Sequence, residues 1–399
     1  EKFWTGRLAD VISLLKIKGS YGIVGNDQIG GNRRFIYLET INSGDKWSFG
    51  ETVTSYPSYR RGEWANDNVG WEKSRKLDVG VDVSFFDKLR VQVDWFKEKR
   101  SGIFLQRSSI PEYIGITTKP YVNIGRMRNS GWDSSLQYDQ KIGQVNFSAM
   151  GNFTFARNVI EDQDQPDYIE KYMNRTGQAR WQTFCYVSDG LFKDEADIAT
   201  SPDQSALGEV RPGDIKYKDL NNDGVIDSKD VKAIGYTDVP EIVYGFGVSA
   251  QWKGFDVSVF FQGNAHVSFS INSSMVRGFT EPKMAANNVF SDIYGNYWTE
   301  SNTDAKYPRL TTTEATNNNQ SSDFWLVNGR YIRLKNAEFG YTFPKRLIQK
   351  MRLSQLRVFV SGTNLLTFAP FKLWDPDLQT GASNYPNTRV ANIGLNIGF

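Results

Sequence analysis

VYGFGVSAQWKGFDVSVFFQG, residues 243–263, is the stretch whose reading decides the fold. Tyr244, Phe246, Val248, Ala250 and Trp252 take every second position, and after Lys253-Gly254 the alternation resumes with Phe255, Val257, Val259 and Phe261, opposite Asp256, Ser258 and Gln262. A period of two places the two sets on opposite faces of a strand, and a two-residue turn containing glycine closes them into a tight hairpin. Its aromatics stand at strand ends, where the interface of a bilayer would lie.

The same unit recurs on both sides. Leu77, Val79, Val81, Val83 and Phe85 alternate with Asp78, Gly80, Asp82 and Ser84, turn at Asp87-Lys88, and continue as Leu89, Val91, Val93 and Trp95. Trp132, Ser134, Leu136 and Tyr138 lead through a short turn at 141–144 into Val145, Phe147, Ala149, Gly151, Phe153 and Phe155. A first strand is expected at 14–24, and a fourth pair at 331–343 and 356–366, joined by a helical turn carrying Leu347, Ile348 and Met351. A last strand carries Ala391, Ile393, Leu395, Ile397 and Phe399. The long polar segments 26–74, 102–129, 161–240, 264–328 and 368–389 lie between them.

Loops of that length argue against a compact soluble domain, whereas one rim of an outer-membrane barrel carries them routinely. With the first strand counted as upward, every long loop falls on one rim, every short turn on the other, and the chain ends at the short-turn rim. The expected fold class is all-β: an antiparallel transmembrane β-barrel wall of about ten strands, part of a larger barrel with long extracellular loops. Such a piece has two strand edges that need partners. The chain begins at Glu1 without methionine or a leader, and is expected to be part of something longer.

Composition is compatible with this. No run of about eighteen apolar residues exists to cross a membrane as a helix, but barrel strands need only every second residue to meet lipid. The 19 Tyr, 26 Phe and 11 Trp, 14% of the chain, suit girdles at two interfaces. A net charge of +2 gives no electrostatic case for nucleic acid, and the Arg33/Arg34 and Arg60/Arg61 pairs read as solvated loop charges. The single cysteine, Cys185, allows no internal disulfide.

Four stretches carry a family resemblance: PGDIKYKDLNNDGVIDSKD (212–230), VYGFGVSAQWKGFDVSVFFQG (243–263), YIRLKNAEFGYTFP (331–344) and VSGTNLLTF (360–368). LKIKGSYGIVGNDQIG (15–30) and the terminal NIGLNIGF support them. Together they resemble the C-terminal barrel portion of SusC/RagA-type TonB-linked outer-membrane transporters, in the family's order and over nearly the whole chain, 1–399. The resemblance implies an active importer in the cell outer membrane, plugged by an N-terminal domain, energised by the TonB complex and lidded by a SusD-like surface lipoprotein that captures glycans or peptides. No segment here resembles the plug or the TonB box, so this piece is expected to be the wall of the transporter.

Within the expected extracellular insertion at about 161–240, DLNNDGVIDSKD (219–230) has the pattern of a calcium loop. Asp219, Asn221, Asp223 and Asp227 supply oxygen donors at positions one, three, five and nine; Gly224 sits at the sharp turn; and the carbonyl of Val225 is the seventh-position donor. Asp230 at position twelve is shorter than the usual Glu, and no helix precedes the loop. The reading is a structural Ca²⁺ that stiffens the loop, against an Asx-rich turn with no metal.

No catalytic residue is expected. His266 is the sole histidine and reads as a satisfied or exposed side chain; a hydrolase would require it to hydrogen-bond a carboxylate inside a cleft. Cys185 reads as a small buried apolar residue. The carboxylates Glu161-Asp162, Asp194-Glu195 and Asp375/Asp377 read as solvated loop charges. Trp47, Trp64, Trp181, Trp298, Trp325 and Trp374 have the chemistry to stack on sugars, anchor loops or meet a lid protein, and the sequence does not choose among these.

Two function classes follow: the barrel of a nutrient importer, or a secreted or surface calcium-binding β-rich adhesin. Facing separates them. In a barrel the stripes at 77–85 and 255–261 point outward to lipid, whereas in a sandwich they share a dry core.

Overall fold

The computed structural model describes residues 10–28, 35–51, 53–116, 118–277, 279, 289–381 and 383–399. Ten strands form one sheet: β1 (Ile12–Asn26), β2 (Glu72–Phe85), β3 (Leu89–Gln106), β4 (Tyr121–Ile142), β5 (Val145–Asp162), β6 (Ile242–Trp252), β7 (Phe255–Ala265), β8 (Tyr331–Thr342), β9 (Gln355–Phe368) and β10 (Val390–Gly398). Each pairs antiparallel with its sequence neighbours, so the sheet is a meander in chain order, with β1 and β10 at its two edges.

A meander alternates its connections between two rims. On one rim β6 and β7 are joined by Lys253-Gly254 alone, with Trp252 opposite Phe255 and both turn residues at positive φ (47° and 92°). That is the mirror-image turn whose twist matches the strands, and glycine takes its second position without strain. The connection from β8 to β9 contains the expected helical turn, α1 (Lys345–Ile348). Strands β3 and β4 run further than their periodicity suggests, so the loop between them is only 107–120 rather than 102–129.

The sheet is inside-out relative to a soluble protein. Val79 and Val257, on the apolar stripes, are 43% and 45% exposed, while Ser74 and Ser84 on the polar face of β2 are each only 8% exposed. The stripes therefore do not face each other in a core, which removes the stacked-sheet arrangement. Along the apolar face the aromatics form two bands. Trp252, Phe255 and Tyr341 stand near the short-turn rim, and Trp95, Trp132, Phe153 and Tyr244 near the other, with Val248 and Leu136 between them. The eight residue steps from Tyr244 to Trp252 span about 27 Å along the strand, or roughly 20 Å of height once the usual barrel tilt is applied, close to the apolar band of an outer-membrane barrel.

The polar face is packed through its charges. Lys18 Nζ lies 3.0 Å from Asp82 and 2.9 Å from Asp94, and Arg357 bridges Asp256 and Glu338 across three strands. Both clusters lie over glycine: a Cβ at Gly80 would strike Asp94 and Lys18, and one at Gly340 would strike Arg357 and Asp256. Close approach of reclining side chains to the backbone is what these two glycines permit.

The long-loop rim departs from a set of independent solvated loops. Segments 163–241, 266–330 and 369–389 share one hydrophobic core of Tyr186, Leu191, Ile215, Tyr217, Ile226, Phe269, Ile271, Val276, Ile293, Tyr307, Trp325 and Phe371. The main hydrophobic core of the described residues thus lies in this cap, outside the sheet. It is knit by buried polar groups: Asp214 pairs with Arg309 at 2.8 Å and accepts from Asn318 at 2.8 Å, and Gln204 donates to Asn317 at 2.9 Å. Buried Arg333 on β8 pairs with Asp375 and Asp377, tying the last long loop down to the wall.

Candidate functional site

The polar face of the wall and the underside of the cap together make the candidate site. The alternation that turns Leu77, Val79 and Trp95 outward turns Glu72, Asp78, Asp82, Asp94 and Glu98 to the opposite face, where a cavity of 520 Å³ is lined by Asp82, Arg90, Gln92, Gln137 and Asn152. A second cavity, 290 Å³, lies further toward the cap against Glu98, Arg100 and Trp181. A closed wall of this facing encloses a hydrated, charge-lined interior.

The expected calcium loop is folded back on itself. Asp219 accepts from the amides of Asn222 (2.6 Å) and Gly224 (2.8 Å), with Asn222 and Gly224 both at positive φ. Asn221 and Asp223 make Asx turns onto Asp223 and Val225, and Asp227 accepts from Lys229. Asp230, fully buried, closes the two ends by accepting from Leu220 (2.8 Å) and Asp227 (2.9 Å). Ile226, also fully buried, plugs the loop into the cap core. Among the described residues no three Asp, Glu, His or Cys side chains converge, and Lys229 Nζ stands 3.4 Å from Asp223 and 3.2 Å from Asp227. All the donors are oxygen, the kind a hard divalent cation takes, though Asp219 and Asp230 here give both carboxylate oxygens to backbone amides.

His266 does hydrogen-bond a carboxylate, Glu241 at 3.1 Å, but the partner is engaged elsewhere. Arg157 holds both oxygens of Glu241 at 2.7 Å, and Tyr236 stacks on the imidazole at 4.4 Å. Among the described residues no Ser, Thr or Cys side chain hydrogen-bonds His266. The cluster is a clamp where the chain passes from cap to wall, with His266 at a φ of 53°. Burial raises the Glu241 pKa, but the hydrogen bonds from Arg157 and His266 outweigh it and leave the carboxyl below its usual value. A depressed folded pKa stabilises above the unfolded value and is lost as pH falls through the folded one. Proteolysis at 236–241 is therefore expected to be flat from neutrality to about pH 5 and to rise below about 4.3, the ordinary Glu value; a flat profile down to pH 3 would contradict the clamp.

The remaining sites resolve individually. Cys185 is fully buried, its thiol pushed up to about 12 by burial, as a structural residue should be. Asp162 pairs with Arg126, Asp194 caps the short helix at Glu195–Thr200 by accepting from Asp197, and Asp375 and Asp377 hold Arg333. The last pair departs from the expected solvated charges, because its partner lies on β8. Of the tryptophans, Trp325 is buried in the cap core, Trp298 and Trp374 pack against it, Arg61 sits over Trp64, and Trp47 and Trp181 are exposed. Gln204, Asp214, Asn317 and Asn318 carried no signal in the sequence, since isolated polar residues in loops look solvated until their partners are known.

An open-faced meander with a polar lumen and a folded cap defines the wall of a membrane β-barrel. The profile of the family described as "TonB dependent receptor-like, beta-barrel" matches residues 26–365, and the chain belongs to that family. It is similar to TonB-dependent receptor P3 of Formosa agariphila, 28% identical over 98% of this chain and 40% of the relative. It is also similar to TonB-dependent receptor SusC of Bacteroides thetaiotaomicron, 25% identical over 98% of this chain and 38% of the relative. Among solved structures, the RagAB peptide importer in its open-open state superposes with a TM-score of 0.70 at 22% identity, over 98% of this chain and 40% of that one, a likeness of fold. The chain thus spans about 40% of the length of the relatives it matches.

Proposed function

We propose that this chain is the C-terminal barrel portion of a SusC-type, TonB-dependent importer in the cell outer membrane, carrying nutrient oligosaccharides or peptides inward without altering them chemically. The observation that carries the reading is the inside-out sheet, apolar stripes open and charges turned to the lumen. Outer-membrane lipid is then the solvent of the outer face. A SusD-like surface lipoprotein is the partner expected over the cap, and the TonB complex would act through a segment outside this chain. In this reading the Arg157–Glu241–His266 cluster serves as a structural clamp between cap and wall. The stripes' exposure gives the calcium-binding adhesin alternative no support.

Deletion of the gene is expected to abolish uptake of the cognate nutrient, with the same loss in a strain depleted of TonB. Uptake that persists without TonB would sink the proposal.

The cap loop would hold Ca²⁺ through Asp219, Asn221, Asp223, the Val225 carbonyl, Asp227 and Asp230; the ion would neutralise carboxylates now faced by Lys229 and stiffen the loop. Chelation should speed protease cleavage at 219–230 while leaving the β6–β7 hairpin intact. An unchanged digestion pattern with and without chelator would count against the metal.

A further inference from the structure

The outward face of β2 to β5 changes character in rows toward the long-loop rim. One row of directly opposed residues is apolar and aromatic: Val79, Trp95, Trp132 and Phe155. The next on the same face is Leu77, Lys97, Ser130 and Arg157, and the one beyond it is Arg75, Lys99, Arg128 and Val159. Lys73, Ser101 and Arg126 follow. Each step covers two residues, about 6.7 Å along a strand, or about 5 Å of height at the usual barrel tilt. Positive charge therefore begins one step past the aromatic row and is densest at the second. At the opposite end of the same strands the corresponding face carries Phe85, Leu89, Tyr138 and Ala149, so the cations belong to the long-loop end.

Like charges directly opposite one another destabilise a sheet, and Lys99 has Arg75 on one side and Arg128 on the other. The protein does not neutralise them. Among the described residues Arg126 pairs with Asp162 at 2.9 Å and Arg157 with Glu241 at 2.7 Å, whereas the side chains of Lys73, Arg75, Lys97, Lys99 and Arg128 make no salt bridge. The excess stays positive even with Glu161, at the upper end of β5, counted against it. Lys73, Arg75 and Lys99 are exposed, and Lys97 and Arg128 half-buried. The carboxylates of the same strands, such as Glu72 and Glu98, take the intervening positions and turn to the lumen.

We propose that this outward basic patch seats the phosphorylated headgroup of a saccharolipid of the outer leaflet, of the lipid A type, whose acyl chains lie along the apolar stripe below Trp95 and Trp132. The inference rests on the outer-membrane reading and names a lipid that the outer face binds. Charge complementarity carries it. An aromatic row marks the interface of the bilayer, and headgroup phosphates lie just beyond that level, where clustered basic side chains attract anionic lipid. Arg75, Lys99 and Arg128 stand on three adjacent strands and so span about 10 Å, enough to meet more than one phosphate of a single headgroup, and a guanidinium grips phosphate in bidentate fashion. An acidic protein surface is the less fitting occupant, because the patch runs without a break into the lipid-facing stripe through Leu77 and Val79.

The test uses the transporter at its natural length in detergent, titrated by native mass spectrometry with bisphosphorylated lipid A, the same lipid dephosphorylated, phosphatidylglycerol and inorganic phosphate. Lipid A is expected to bind tightest, and Arg75→Gln, Lys99→Gln and Arg128→Gln combined to weaken it by about tenfold or more. Lys76→Gln, on the lumenal face of β2, is the control and should leave it unchanged. Where the triple variant does not fold, as read by its heat-modifiable gel shift, Lys97→Gln with Lys99→Gln reads the same loss from β3 alone. The proposal is overturned if dephosphorylated lipid, phosphatidylglycerol or phosphate binds as well as lipid A, if the folded variants bind lipid A unchanged, or if they lose a co-purifying surface lipoprotein and keep lipid A. A lysine scan of the stripe tests the membrane reading separately: failure of the lipid A titration would leave a lipid-facing wall standing, and a stripe indifferent to lysine would remove the wall whatever the titration gave.

Discussion

Trp325→Ala is expected to cost about 3 to 5 kcal/mol of cap stability, the range for truncating a buried Trp or Phe, and to leave the wall folded. Trp325 is 1% exposed, its Nε1 donates to the Asn318 carbonyl at 2.8 Å, and its ring meets Phe324 at 5.1 Å. Removing it opens a cavity beside Ile293 and Val276 and leaves the Asn318 carbonyl short of its donor. Asn318 in turn holds Asp214, so the damage spreads through the buried polar network. Limited proteolysis should show cuts across 184–233 and 289–327, while the heat-modifiable gel shift typical of a folded barrel persists. Equal protease resistance in mutant and wild type would show that the loops do not share one cooperative core.

Val248→Lys should destabilise the barrel by about 2 to 4 kcal/mol, the cost of a cation facing lipid near the midplane. Val248 is exposed midway along β6, opposite Val259 and Ala149, four residues from Trp252 and four from Tyr244. Its neighbour Ser249 faces the lumen opposite Ser258 and Ser148, so Ser249→Lys is the matched control and should cost far less. Denaturant titration of protein refolded in bilayers measures both. Equal costs at the two positions would mean that the sheet has no lipid face.

Both predictions depend on which side chains share an environment, and the sequence conveyed that unevenly. In the wall it was legible, because a strand's two faces are encoded by adjacent residues: the run from Tyr244 to Phe261 shows its apolar stripe, its polar stripe and its turn within eighteen residues. The same locality holds at 219–230, where Asp230 accepts from the amides of Leu220 and Asp227. In the cap it was not. Asp214 meets Asn318 across 104 residues and Gln204 meets Asn317 across 113, and no periodicity spans such distances. Arg333 lies in a recognisable strand, yet Asp375 and Asp377, its partners, looked like solvated charges.

The six loop tryptophans mark the boundary. Their shared chemistry allowed stacking, anchoring or partner contact, and nothing local distinguished Trp325, sealed in the cap, from Trp181, held open beside the lumen. The sequence by itself determined strand order, facing and the alternation of rims, because backbone geometry repeats every two residues and lipid and lumen select opposite halves of that repeat. Only the tertiary structure decided that the long loops make one body, and which aromatic it leaves free. Burial there is set by contacts between segments far apart in the chain, whose closure no short-range pattern records.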